Sequence, residues 1–350
     1  QFLYFIGIME ATVDPIDTRL AALRSEIALG TRVVHDEGRY RGTVRAVEAL
    51  DPRGDGKRAV MLGVEWDEPR GRHDGAAGGT RYFTCPDKHG SFVAPGKVHA
   101  AASLEEVLTT RFTDDFAAVV NKVDNLMSKD PTVRDPETGA FPNVWNVDCS
   151  AHPKLGRVAS AGPNLALLFP AIRQLSINAA LLESWAEVAR IAAALPLLES
   201  YSVRGNPLGP IKDGDLVPLE GGRAPQRLTK LNATATGIHP PCLAKLLSVL
   251  PHVAELNAGG NDAIRSAAAT TTPVASHLSL PAKEEEEEPL LKLESLSFDG
   301  NEFRSLDDVA DLLGDALCQR LVSLNLNNAP VGCLRGIRRF PRLEKLMLRG

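Results

Sequence analysis

Hydrophobic and polar positions change rhythm twice along this chain. From Leu29 to Val98 the apolar residues fall in short runs, Arg32–His35, Gly42–Val47, Val60–Trp66, Arg81–Cys85 and Ser91–Val93. Glycine-, proline- and aspartate-rich turns such as Asp51-Pro52-Arg53-Gly54-Asp55-Gly56 separate them. Short alternating runs bounded by such turns predict strands, and many of them predict a small β-rich barrel or open sandwich. Before this region, Thr18–Ile27 predicts one or two helical turns. After it, Leu104–Leu126 predicts a helix, with Ser103 placed to cap it and Glu106 at the third helical position. Asp130–Asn143 is polar and contains proline, which predicts a linker.

From about Leu165 the rhythm becomes a repeat. The template L-x-x-L-x-L-x-x-N-x-L is met by Ile172, Leu175, Ile177, Ala180 and Leu182, then by Leu198, Tyr201, Val203, Asn206 and Leu208. Leu228, Leu231, Ala233, Thr236 and Ile238 are a weaker copy, and Val253, Leu256, Ala258 and Asn261 a fourth. Leu293, Leu296, Phe298, Asn301 and Phe303 follow, then Leu321, Leu324, Leu326, Ala329 and Val331, and Leu343, Leu346 and Leu348 open a further copy. The recurrence predicts an α/β leucine-rich-repeat solenoid, in which each unit buries its apolar edge only against its neighbours. The expected division is an N-terminal extension over 1–28, a β-rich domain over 29–100, a helical and linker segment over 101–145 and the repeats over 146–350. Residues 265–289 interrupt the repeats with a threonine-rich run and five consecutive glutamates, Glu284–Glu288, and are expected to form a solvated loop. The lack of a capping unit after Gly350 and the non-methionine start, with apolar Gln1–Ile8 ahead of Met9, are expected to mark a fragment.

Composition narrows the function classes. A formal net charge of -5 offers no basic field for nucleic acid. Five scattered cysteines, none in a C-x-x-C pair, point to reduced thiols in a cytoplasmic protein and not to a disulfide or zinc framework. The histidines show no metal spacing, so no metal and no cofactor is expected. Gly90-Ser91-Phe92-Val93-Ala94-Pro95-Gly96-Lys97-Val98 resembles a phosphate loop only superficially, with one residue too many between its glycines and valine in place of Ser/Thr. Asn232-Ala233-Thr234 matches a glycosylation sequon, but without a signal peptide. His73 and Cys85 could be paired as a nucleophile couple, against the blander reading of a buried thiol. With no catalytic constellation, the chain is expected to bind and not to catalyse.

The candidate chemistry sits at Gly71-Arg72-His73-Asp74-Gly75. The two glycines allow backbone angles and close approaches that a Cβ forbids. Arg72 offers a planar donor fork suited to a carboxylate, and His73 and Asp74 can fix the loop by hydrogen bonds. Trp66, Tyr82, Phe83 and Phe92 surround it in sequence as groove or core residues, and Lys97 adds a positive charge at the far edge. Carboxylate-binding donors beside aromatic walls suit a peptide that ends in acidic residues and an aromatic.

This loop, with Leu62-Gly63-Val64-Glu65-Trp66-Asp67 before it and Tyr82-Phe83 and Gly90-Ser91-Phe92-Val93 after it, resembles the CAP-Gly domain over about Leu29–Val98. The family loop is Gly-Lys-Asn-Asp-Gly, so Arg72 and His73 depart from it. A CAP-Gly module followed by leucine-rich repeats is similar to the tubulin-folding cofactor E family. That resemblance implies capture of the acidic–aromatic tail of α-tubulin by Trp66, Gly71, Arg72, His73, Asp74, Gly75, Phe83, Phe92 and Lys97. It further implies that the repeats hold the tubulin body or the partner cofactors C and D, in a cytoplasmic, cytoskeleton-associated role in assembling or dissociating the α/β-tubulin heterodimer. A general microtubule-associated CAP-Gly adaptor is the alternative, although no sustained heptads accompany it.

Overall fold

The computed structural model describes residues 14–37, 40–51, 54, 56–113, 132–150, 154–221, 223–261 and 292–349. The chain divides between Ala101 and Ala102 into two compact units. The expected insertion over 265–289 and the distal part of the helix expected over Leu104–Leu126 lie outside the described residues.

In the first unit, α1 (Pro15–Glu26) begins where Asp14 Oδ1 accepts the Ile16 amide at 2.8 Å and proline occupies the first helical position. It is longer than the one or two turns expected over Thr18–Ile27. Seven strands follow: β1 (Arg32–His35), β2 (Arg41–Leu50), β3 (Ala59–Trp66), β4 (Ala76–Ala77), β5 (Thr80–Arg81), β6 (Gly90–Val93) and β7 (Val98–Ala100). Five of them form an antiparallel sheet in the order β6-β3-β2-β1-β7. Alternation along β3 sends Leu62, Val64 and Trp66 to one face, where they meet Val33, Val44, Val47, Val60 and Val98. Ile16, Leu20, Leu23 and Ile27 from α1 and its C-terminal end close over that core. β4 and β5 form a separate hairpin whose two-residue Gly78-Gly79 turn has φ of 57° and 81°. Two left-handed residues in succession match the strand twist, which is why glycines fill both places.

In the second unit, Ser103 Oγ accepts the Glu106 amide at 3.1 Å at the start of α2 (Leu104–Thr113), as the sequence predicts. β8 (Ala102–Ser103) pairs in parallel with β10 (Val158–Ser160). β9 (Asn146–Asp148), β11 (Gln174–Ser176), β12 (Ser200–Ser202), β13 (Lys230–Asn232), β14 (Glu255–Asn257), β15 (Ser295–Ser297), β16 (Ser323–Asn325) and β17 (Lys345–Met347) form one parallel sheet. Their order in space is their order in the chain. The central residues Val147, Leu175, Tyr201, Leu231, Leu256, Leu296, Leu324 and Leu346 stand in register across it. The return segments include α3 (Leu165–Leu168), α4 (Trp185–Ala193), α5 (Pro240–Val249), α6 (Leu306–Leu313) and α7 (Asp315–Cys318). Leu306, Val309, Ala310, Leu312 and Leu313 give α6 one apolar stripe, and Ser305 with Asp308 closes a capping box at its start.

Buried asparagines tie successive turns of this unit together. Asn261 Nδ2 donates to the Ala233 and Ala258 carbonyls at 3.1 and 2.9 Å, while Oδ1 accepts the Thr236 and Gly237 amides at 2.9 and 2.8 Å. Asn301 repeats the pattern, accepting the Asn261 amide at 2.9 Å and donating to Ala258 at 3.1 Å. Such bonds satisfy backbone groups that burial would otherwise strand.

Candidate functional site

The segment after β3 is laced onto the start of β6. The Gly71 amide donates to the Lys88 carbonyl at 2.5 Å, and the Arg72 and His73 amides donate to the Gly90 carbonyl at 2.7 and 3.1 Å. The Gly90 amide returns a bond to the His73 carbonyl at 2.7 Å. Backbones this close leave no space for side chains. A Cβ on Gly71 would stand 2.6 Å from the Gly90 nitrogen, and Gly75, at φ +100°, would drive one into the Phe83 carbonyl.

Two side chains set the shape of the loop. His73 Nδ1 accepts the Gly75 amide at 3.0 Å, and partial burial pushes the ring's pKa below its ordinary value. Asp74 accepts the Ala76 amide at 3.3 Å and pairs with Arg81 Nη2 at 2.7 Å. Arg81 also donates to the Asp74 and Phe83 carbonyls at 3.1 and 3.3 Å. The Arg81 hydrogen bond, followed by the Ala76 amide, holds the Asp74 carboxyl below the usual carboxylate range. Arg72 is exposed, and among the described residues no group engages its guanidinium.

Beside the loop lies a ring cluster. Phe92 meets Tyr82 edge-on at 5.1 Å, Phe83 at 5.8 Å and His73 at 5.5 Å between centroids. Phe83 is buried, whereas Tyr82 and Phe92 are half-exposed, so these two present the open faces. Phe92 pairs directly across the sheet with Gly63, where a Cβ would stand 2.7 Å from Phe83 and 3.0 Å from Phe92. Directly opposed residues share a face. Phe92 therefore lies on the Gly63 face, and the odd spacing from Gly63 puts Trp66 on the other.

The expectation that Trp66 borders the groove is corrected by this geometry: it is 4% exposed, sits in the apolar core, and turns an edge to His35. Lys97 is also apart from the loop in its contacts, pairing with Glu37 at 2.6 Å. The structure brings together Gly71, Arg72, His73, Asp74, Gly75, Phe83 and Phe92 and adds Gly63 and Arg81. Glycine inside a strand is a sequence signal for close approach, and Gly63 carried it; nothing in the sequence singled out Arg81. Cys85 directs its thiol at the His73 carbonyl, 3.9 Å away, and not at the ring. Burial raises that thiol's pKa, so the two do not form a nucleophile pair.

The match that decides the nature of this unit covers residues 29–98, which fit the family model of the CAP-Gly domain. Residues 29–98 are a CAP-Gly domain. The chain is similar to tubulin-specific chaperone E of Mus musculus, 34% identical over 194 residues that cover 51% of this chain and 34% of that protein. It is also similar to tubulin-folding cofactor B of Arabidopsis thaliana, 40% identical over 76 residues, covering 22% of this chain and 30% of the other. CAP-Gly domain-containing linker protein 3 of Mus musculus is 40% identical over 100 residues, covering 27% and 17%. The chain thus spans about a third or less of the length of these curated relatives.

A second concavity lies on the parallel sheet of the other unit. It has a volume of ≈ 590 Å³, and Ser200, Ser202, Asn232, Asn257, Ser295 and Ser297 contribute to its lining. Its Lys230 and Glu255 pair with each other at 2.8 Å, so their charges cancel beside the hydrogen-bonding serines and asparagines. Among the described residues no group of three or more His, Cys, Asp or Glu side chains is placed to hold a metal ion, and no helix is long and apolar enough to cross a membrane.

Proposed function

We propose that this chain is a tubulin-folding cofactor that grips the acidic–aromatic C-terminal tail of α-tubulin through its CAP-Gly domain. The observation that carries the reading is an exposed Arg72, engaged by none of the described residues, on a glycine loop locked beside the half-exposed rings of Tyr82 and Phe92. Arg72 offers a fork for tail carboxylates, the backbone at Gly71 and Gly75 allows close approach, and the rings receive the terminal aromatic. His73, Asp74 and Phe83 hold that arrangement, while Trp66 and Lys97 stay outside the contact. Similarity to proteins named tubulin-specific chaperone E and tubulin-folding cofactor B supports the choice of tubulin.

In this reading residues 146–350 are a leucine-rich-repeat solenoid, supported by the chain-order parallel sheet and the buried asparagines. It holds the tubulin body or cofactors C and D while the tail is captured. Two attachments on one chain raise effective concentration, so a weak tail grip is sufficient. The chain then acts in the cytoplasm by binding, not by chemistry, in assembling or dissociating the α/β-tubulin heterodimer. The likeness to a CAP-Gly linker protein favours a second reading, a general microtubule-associated adaptor.

The test is binding of the chain to an α-tubulin C-terminal peptide with and without its terminal aromatic, alongside Arg72→Ala. Binding that needs the aromatic and weakens in the variant is expected. Equal, negligible binding of both peptides overturns the tail reading. Refolding of tubulin with purified cofactors separates chaperone from adaptor, because only the first changes heterodimer yield.

A further inference from the structure

We infer that His73 is a positioning residue whose neutral ring holds the glycine loop in its receiving shape, so that the grip on an acidic tail loosens when the ring is protonated. This rests on the tail-binding reading above. The geometry that carries it is the 3.0 Å bond from the Gly75 amide to Nδ1. A backbone amide only donates, so Nδ1 must present a lone pair and the ring proton must sit on Nε2. Adding a proton at Nδ1 sets two N–H groups against each other at that distance, and the bond is lost.

The ring cannot adapt by moving a little. Phe92 and Phe83 stand 5.5 and 6.0 Å from its centroid, and Gly90 backs it so closely that a Cβ there would be 2.6 Å from Nδ1. The His73 amide and carbonyl are both bonded to Gly90. Relief therefore comes through the Gly75 side, the end of the loop at which Phe83 begins the ring cluster. The charged and titratable groups around the ring are few. Asp74 follows it in the chain and favours the protonated form, but Arg81 and the Ala76 amide already engage that carboxylate. Arg81 on β5 is cationic and is directed to Asp74 and the Phe83 carbonyl. The Cys85 thiol faces the His73 carbonyl and is neutral, as are the Phe83 and Phe92 rings and the Gly90 backbone.

The sign of the effect separates this role from the obvious alternative. A histidinium acting as a bare cation beside an acidic tail would tighten binding as pH falls; a positioning ring loosens it. Asparagine is the informative substitution, because its Oδ1 accepts the Gly75 amide without titrating. The experiment measures binding of the full chain and of His73→Asn to a synthetic peptide ending in acidic residues and an aromatic. It runs from about pH 8 to about pH 4.5, well below the ordinary imidazole titration because burial holds this ring under it, with His73→Asn controlling for the carboxylates of the tail. Wild type is expected to lose roughly tenfold in affinity relative to His73→Asn, the value of one hydrogen bond. Parallel profiles, or tightening in the wild type alone, overturn the inference.

A second arm needs no peptide. Nitrogen chemical shifts of the His73 ring and hydrogen exchange at the Gly75 amide are read in selectively labelled full chain. The Nε2–H tautomer at neutral pH and loss of Gly75 protection as His73 titrates are expected. An Nδ1–H tautomer, or protection unchanged through the titration, overturns the positioning role. If the peptide fails to bind at any pH, the tail reading falls, and this arm still decides what His73 does.

Discussion

Replacing Asn261 with alanine should cost more than the same change at Asn206, although both asparagines are buried and occupy equivalent places in the repeat. Truncating Asn261 strands the Thr236 and Gly237 amides, whose bonds to Oδ1 are 2.9 and 2.8 Å long. The carbonyls that lose Nδ2 keep other donors. Ala233 retains the Thr236 hydroxyl at 2.9 Å, Ala258 retains Asn301 Nδ2 at 3.1 Å, and Gly259 retains the Ala235 amide at 2.9 Å. An unsatisfied buried donor such as the Thr236 amide costs about 1–3 kcal/mol, and exposed Gly237 recovers most of its bond from water, so the expected loss is about 2–3 kcal/mol. Asn206 differs in one atom. Its Nδ2 donates to the Ile177 and Val203 carbonyls, both at 2.7 Å, but its Oδ1 is buried with no donor among the described residues. Alanine there strands no amide and removes an unsatisfied oxygen, which offsets part of the cost of leaving the buried Ile177 carbonyl without its donor, so the expected loss is about 1–2 kcal/mol. Urea unfolding followed by far-UV circular dichroism gives both midpoints, and equal slopes license the comparison. An Asn206→Ala cost equal to or greater than that of Asn261→Ala would refute this accounting.

Further outcomes are expected around the first unit. Gly75→Ala should destabilise it by about 2 kcal/mol or more, through the left-handed φ and the Phe83 carbonyl, as read from its thermal midpoint. Gly63→Val should leave the Trp66 core folded but displace Phe92, weakening tail-peptide binding more than it lowers thermal stability; the reverse ranking would speak against a ring groove on that face. Because the folded-state pKa of His73 is depressed, the unfolded chain takes up its proton first. Stability should therefore fall as pH drops from the ordinary imidazole value to the folded one and then level off, a step absent in His73→Asn. Arg81→Ala should move the Asp74 titration, followed by NMR, up toward the usual carboxylate range.

Where a pattern was periodic, it could be read from the chain. Leu175, Tyr201, Leu231, Leu256, Leu296, Leu324 and Leu346 were spaced by a template and became the central column of one sheet. β1 coincides with its expected span, and β2, β3 and β6 differ only at their ends. Where one apolar residue stood alone, pairing decided. β9 carries only Val147 between two polar residues and exists because β11 aligns with it; β7, equally short, depends on β1. The run expected over Arg81–Cys85 shrinks to Thr80–Arg81, because Phe83 leaves the extended path to enter the ring cluster. At the site, the glycines of the loop were legible, because close backbone approach has a sequence cost that only glycine escapes. Which aromatic faces outward was not. Trp66 and Phe92 are both large rings flanking the same loop, and only the pairing of Phe92 with Gly63 assigns them to opposite faces.

The chain-order sheet also says where this protein can grow. Each strand touches only the strands before and after it, so a return connection can lengthen without asking anything of a distant residue. The link from β14 to β15 is roughly two-thirds as long again as that from β13 to β14, yet Leu256 still faces Leu296 as Leu231 faces Leu256. Closing a longer connection costs only with the logarithm of its length, about 0.6 kcal/mol for a doubling. Inheritance can therefore experiment between the rungs, adding sequence that is tested for its own usefulness while the ladder it interrupts stays in step.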